Sequence, residues 1–502
     1  MEKNLARLKN VLNEIYDINA ATAVLSWDQQ TYMPKGGAEE RACQLAALSK
    51  ISHEKFCSPE VGQLLNSLEK SVPSLSRESD EACLIRVTRH LYNKKTKVPA
   101  KLVAEFASVT SIAQTVWEEA RAKSDFAMFR PHLEKIVSLR QEYAALFSPY
   151  DHIYDPLLDD FEPGLKTAEV SRIFNEIKPE QSRLVEKISG KPEINNSFLF
   201  KPLYDEQRQW DFGVKVASAF GYDWTRGRQD RTAHPFTTTF GQGDVRITTR
   251  VFKDNLMSGL FSTMHEAGHA IYEQGISRLL KRTVLSDGAS LAIHESQSRM
   301  WENLVGRSRD FWTYFYPKLM EKFSDGLAGV SMENFYRAIN KVKPSLIRVE
   351  ADEATYNLHI MLRFELEKDL MENKIQVKDL PELWRIKMCE YLNVCPEKDS
   401  DGVLQDVHWS CGIFGYFPTY AIGNLVSAQL WEKINAELPG LSGSIRNGEF
   451  KHLLSWLRDK IHRHGAKFSP QELVKKATGS EIRPEPYLAY LKKKFGDIYG
   501  LN

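Results

Sequence analysis

The sequence predicts a mainly α-helical protein with one small β-element, and three observations carry that expectation. Apolar residues recur at helical spacing along most of the chain, beginning with Leu5, Leu8, Leu12 and Ile15. Alternating β-branched residues are confined to one stretch, 237–250. No long Pro/Gly/Ser-rich linker divides the 502 residues, so a single large body is expected. Its expected parts are a helical segment of about residues 1–200, a core of about 201–430 and a helical cap of about 431–502.

Taken in order, the first helical stripe is followed by a turn from Trp27 to Pro34 and a helix over residues 38–52. Helical periodicity continues near 58–71, 78–94, 100–123 and 131–147, with Pro99 suited to a helix's first turn. Residues 155–164 are acidic and turn-rich but lack the twelve-residue calcium-loop pattern, so they read as a structural loop with solvated charge. Helices resume near 167–188 and 203–219. The stretch 237–250 then reads as a hairpin turning at Gly241 and Gly243. Further helices are expected near 309–322, 331–340, 350–373, 379–393, 421–437, 447–463 and 485–495. Residues 465–502 are polar and basic and read as a surface cap.

Composition narrows the function. The chain is 42% hydrophobic and 26% charged, an ordinary soluble balance. A net charge of +1 gives no reason to expect nucleic acid or an anionic membrane. The charged N-terminus does not resemble a signal peptide, and no apolar run is long enough to span a bilayer. The six cysteines are sparse and show no CxxC pair, so reduced thiols are expected.

The chemistry concentrates after the hairpin. His265, Glu266 and His269 form an H-E-x-x-H pattern flanked by the apolar positions Leu256, Leu260, Met264 and Ile271. Two histidines four apart share one helix face and can reach one metal ion. Glu266 beside them can take a proton from an activated water. Such a pattern also arises by chance in amphipathic helices, and its glycine weakens helix propensity, so a third ligand matters. Gly275 can end this helix, and Ser286 or Asp287 can cap a second one carrying His294 and Glu295. Neighbouring helical positions point about 100° apart, so only one of His294 and Glu295 can face the metal.

Five motifs in one order make the pattern specific. They are Asp244, Arg246 and Thr248 (D-x-R-x-T); His265 to His269; His294 to Gln297 (H-E-S-Q); Ile347, Arg348, Ala351 and Asp352 (I-R-x-x-A-D); and Gly402, Gln405, Asp406, His408 and Trp409 (G-x-x-Q-D-x-H-W). With the stretches from Trp27 to Pro34, His234 to Phe236 and Phe417 to Tyr420, the sequence resembles the Taq carboxypeptidase family of zinc metallocarboxypeptidases over nearly its whole length.

The resemblance implies one zinc per subunit, held by His265, His269 and Glu295, with Co²⁺ or Mn²⁺ as possible substitutes. It implies Glu266 as general base and His408 and Tyr420 as donors to the developing oxyanion. Arg348 is the expected grip on the substrate's terminal carboxylate, since a planar guanidinium binds it bidentately. Asp352, four residues on, is expected to orient it if the stretch is helical. His234 and Arg246 are further candidates on the substrate side, Arg246 also reading as half of a structural ion pair. The implied fold is that shared with neurolysin and angiotensin-converting enzyme, a helical body with a deep groove and a small sheet beside the active site. The implied activity is removal of C-terminal residues from peptides one at a time, with broad specificity, by a cytoplasmic homodimer. The rival readings are an oligopeptidase or dipeptidyl carboxypeptidase with the same chemistry, and a non-catalytic peptide-binding protein with structural zinc. A structural site needs no base, so Glu266 speaks against the last. Thermolysin-like sites place an acid four residues after the ligand Glu; here Arg299 stands there, and the sequence names no orienting partner for the histidines.

Overall fold

The computed structural model describes residues 1–201 and 203–501. Helices dominate, and among the described residues one sheet of three strands accompanies them. Two compact units form, each from three separate stretches. The first comprises Met1–Thr96, Asn195–Ile339 and Leu430–Ser480; the second comprises Lys97–Ile194, Asn340–Gln429 and Glu481–Asn502.

In the first unit the helix Glu2–Thr31 buries Leu8, Val11, Leu12 and Ile15 against Ala38–Phe56 and Pro59–Glu69. The sheet consists of β1 (Gln229–Arg231), β2 (Thr237–Gly241) and β3 (Asp244–Thr249), ordered β1-β3-β2. β2 and β3 are the expected antiparallel hairpin, with Thr238 opposite Arg246, while β1 pairs parallel to β3. Val245 and Ile247 point from β3 into the core, and the helix Ser258–Gly275 packs on this sheet.

The second unit is built around the helix Tyr356–Met371, which packs against Phe126–Ala145, Thr167–Ser189 and Leu380–Leu392. This helix is buried on most sides. It also carries His359, Arg363 and Glu367, four residues apart on one face and fully buried.

Several expectations need correction. The first helix does not turn at Trp27: that side chain is buried, and Thr31 donates to its carbonyl oxygen at 2.8 Å. Pro34 stops it later, by disfavouring helical geometry in the preceding residue. The acidic stretch is solvated only in part, Asp160 being exposed. Asp155 and Glu162 are buried, and Asp155 accepts from the Thr167 amide and hydroxyl at 2.8 and 2.6 Å. Residues 465–501 are not wholly at the surface, since Leu473 and Val474 in the first unit and Leu491, Phe495 and Ile498 in the second are buried. Finally, Cys389 and Cys395 form a disulfide, while Cys43, Cys57, Cys83 and Cys411 stay free. The helix Leu380–Leu392 ends on Asn393 in the left-handed region, and the returning chain brings the two cysteine Cα atoms to 4.8 Å.

Candidate functional site

The first unit gathers His265, His269 and Glu295, the one group of this kind among the described residues able to hold a metal. Both histidines lie on Ser258–Gly275, and Glu295 lies on Leu291–Arg299. That second helix begins later than expected: its cap is Ser290, whose side chain accepts from the Ile293 amide at 3.1 Å, because residues 282–289 still form a loop. Gly268 lets the two helices meet. A Cβ there would stand 2.7 Å from Ser298 Cα and 2.8 Å from Gln297 O. The residue that weakens the helix in isolation thus permits the approach that completes the site.

Glu295 Oε2 lies 3.6 Å from His265 Nε2 and 3.5 Å from His269 Nε2. Ligands bonded at about 2.0–2.2 Å around a tetrahedral ion stand ~3.3–3.5 Å apart, so the donor set fits one small divalent metal. Arg299 Nε donates to the other oxygen, Glu295 Oε1, at 2.7 Å. Burial would push the Glu295 carboxyl up, but Arg299 and the two histidines hold it well below the usual carboxylate range. The basic residue at the position where the sequence lacked an acid therefore helps to keep this carboxylate ionised.

The partner of His265 is Glu302, whose Oε2 lies 2.9 Å from Nδ1. Glu302 sits in the π-helical turn Met300–Val305, which continues the second helix. Burial alone would lower His265, but Glu295 and Glu302 outweigh it and lift the metal-free imidazole to about 9. Burial takes His269 down to about 3, so its ring is neutral at neutral pH. Nδ1 of His269 meets Nδ1 of His294 at 2.7 Å. His294 is not one of the three side chains placed to share an ion.

Glu266 lies inside the same cluster. It is buried, and burial pushes its carboxyl up against the opposing pull of His265 and Thr237. Thr237, at the start of β2, places its hydroxyl 2.7 Å from Glu266 Oε2. A carboxylate shifted toward neutrality and held by one oxygen is suited to accept a proton at the other.

The second unit gathers Arg348, His408 and Tyr420. Arg348 is buried and donates from Nε and Nη2 to Asp406 Oδ1 at 3.0 and 2.8 Å, and from Nη1 to Tyr356 Oη at 2.9 Å. Its guanidinium lies 5.2 Å from the Tyr420 ring centre, and the His408 and Tyr420 rings are 6.4 Å apart. The expected partner Asp352 is not used. Arg348–Glu350 is a single 3₁₀ turn followed by extended Ala351, so positions 348 and 352 share no helix face. Asp352 instead accepts from the amides of Ala354 and Thr355 at the start of the central helix. Asp406 also holds Arg363, at 2.6 Å, and the two arginines outweigh burial to keep it ionised. Burial lowers His408 to about 4, leaving a neutral ring whose buried Nδ1 has no hydrogen-bond partner.

Two sequence candidates remain, both in the first unit. Arg246 is fork-paired with Asp244 at 2.8 Å on both nitrogens and sits 4.4 Å from the Trp27 ring centre. His234 is exposed between β1 and β2.

Residues 7–495 match the sequence profile of the Carboxypeptidase Taq (M32) metallopeptidase family. The chain belongs to that family. It is similar to thermostable carboxypeptidase 1 of Thermus thermophilus, 44% identical over 487 residues and 95% of each chain. It is also similar to carboxypeptidase 1 of Bacillus subtilis, 39% identical over 98% of this chain and 97% of that one. The crystal structure of an M32 carboxypeptidase from Deinococcus radiodurans superposes with a TM-score of 0.96 at 40% identity, covering 99% of this chain and 100% of the other. Metallocarboxypeptidase 1 of Trypanosoma cruzi gives 0.94 at 32% identity, covering 99% and 100%. As a member of the Taq carboxypeptidase family the chain is a metallocarboxypeptidase, a peptide hydrolase that works with a divalent metal. Among the described residues, no helix is long and apolar enough to cross a membrane.

Proposed function

We propose that this chain is a zinc carboxypeptidase that removes single residues from the C-termini of peptides, with Glu266 as its general base. The spacing of His265 Nε2, His269 Nε2 and Glu295 Oε2 around one point carries the reading. A bound Zn²⁺ would supply a water whose pKa is lowered to about 7 and an electrophile for the scissile carbonyl. Glu266 accepts the proton of the attacking water on the carboxylate oxygen not engaged by Thr237, and returns it to the leaving amine. Arg348 binds the substrate's terminal carboxylate. Asp406 and Tyr356 account for three of its five N–H groups and fix the guanidinium plane. His408, neutral and with an unpartnered ring nitrogen, and Tyr420 donate to the oxygen that gains charge. His234 and Arg246 act outside this set, on the approach of the substrate chain. Family membership is the ground for expecting broad specificity, a homodimer, a cytoplasmic setting and tolerance of Co²⁺ or Mn²⁺.

Replacing Glu266 by Gln tests the division of labour. The variant should keep one zinc per chain and the parent's melting temperature, while kcat falls by roughly 10²–10⁴-fold, the span of general acid–base catalysis. A zinc-loaded variant with near-parental kcat would remove Glu266 from the mechanism.

A further inference from the structure

His265 has a carboxylate on its second nitrogen, but His269 has a histidine, and a contact between two ring nitrogens needs one hydrogen and one lone pair. The metal reading fixes which is which. His269 turns Nε2 toward Glu295, so Nε2 must keep its lone pair and the ring hydrogen must sit on Nδ1. Nδ1 of His294, 2.7 Å away, must then accept. That places the hydrogen of His294 on Nε2, where only an acceptor can satisfy it. Glu273 Oε1 lies 2.7 Å from that Nε2. Its carboxylate is buried, 4% exposed, one helical turn beyond His269 on the same helix. Two neighbours pack close to the His294 ring. Tyr272 lies 5.0 Å away centre to centre, and a Cβ on Gly288 would stand 2.6 Å from His294 Cδ2.

We propose that Glu273 is a positioning residue for the metal site, selecting through His294 the tautomer of His269 that offers a lone pair to the ion. The two histidine ligands are thus oriented by different devices, His265 by Glu302 directly and His269 by a carboxylate acting through a second imidazole. Were Glu273 replaced by a side chain that donates, His294 would turn its hydrogen to Nδ1 and His269 would present Nε2–H to the metal position. The inference rests on the reading that His265, His269 and Glu295 hold a metal.

The test is Zn²⁺ affinity, measured by competition with a chromophoric chelator on metal-free protein, alongside its circular dichroism and melting temperature. Glu273→Leu, which fills the space but offers no acceptor, should weaken Zn²⁺ binding by about 10–100-fold, the usual cost of losing an outer partner of a metal ligand. His294→Phe, which keeps a ring but no acceptor, should lose at least as much. Because Glu273 acts through His294, the double variant should bind no more weakly than His294→Phe alone. Parental affinity in a folded Glu273→Leu overturns the proposal, as do additive losses in the double variant. If Glu273→Leu does not fold, His294→Phe decides, and parental affinity there is equally fatal. A parent protein that takes up no Zn²⁺ would instead overturn the underlying reading of the site.

Discussion

Arg348 shows how one residue's role depends on neighbours far along the chain. Its motif is readable in sequence, but the acid that fixes it, Asp406, lies 58 residues away rather than four. Local spacing pointed to Asp352 on the assumption of a helix, and the 3₁₀ turn removes that geometry. The same limit hid Glu302 and His294 as partners of His265 and His269, and Glu273 as the partner of His294, because hydrogen-bond partners across helices leave no periodic trace. The three proposed ligands could be singled out in the sequence, since a metal site demands such residue types and spacing. For Arg348 the expected consequence is specific. A charge-assisted hydrogen bond contributes roughly 1.5–3 kcal/mol, so Arg348→Ala should lower kcat/KM on free-acid peptides by about ten- to more than a hundredfold. C-terminal amides, already poor substrates, should barely worsen. Arg348→Lys should rescue in part, because it keeps the charge and loses the fork. Equal losses on acid and amide forms of one peptide would make Arg348 structural.

Two helices decide the geometry of the metal cluster, and Gly268 decides how close they come. Gly268→Ala places a methyl group against the backbone of Ser298, and overpacking of this kind costs about 1–3 kcal/mol. The variant should melt lower and bind Zn²⁺ more weakly, as calorimetry and chelator competition would show; unchanged values in both would mean the helices have slack. The helix Tyr356–Met371 carries a second prediction through Glu367. Its carboxylate accepts from Tyr154 Oη, Trp409 Nε1 and the Gly415 amide, at 2.5, 2.8 and 3.0 Å. Burial nonetheless lifts it from 4.5 to about 7. Between those values the folded chain holds a proton that the unfolded chain has released, so this group makes stability fall as pH rises. Urea unfolding at pH 5 and 7 should show a flatter pH dependence in Glu367→Gln than in the parent, and identical slopes would contradict the assignment. Helix periodicity made most elements readable, including Ala100–Lys123 and Arg309–Lys322 to their ends. The disulfide and the partly buried acidic stretch were not, because each depends on chain reversals or distant packing rather than on period.

At the scale of the molecule, the fold keeps its two chemical clusters on separate compact units. The proposed metal ligands and Glu266 belong to the first, and Arg348, His408 and Tyr420 to the second. Each unit takes sequence from three stretches, yet the residues named in each cluster come from one of them, 195–339 for the first and 340–429 for the second. The account assigns metal chemistry to one cluster and recognition of a free C-terminus to the other. The measurement that tests this most directly is mass spectrometry of the products from an N-terminally blocked tripeptide, incubated with the parent protein, with chelator, and with chelator followed by Zn²⁺. The account predicts release of the single C-terminal amino acid, arrest by the chelator and recovery with Zn²⁺. Release of a C-terminal dipeptide, or turnover unaffected by removal of the metal, would contradict it.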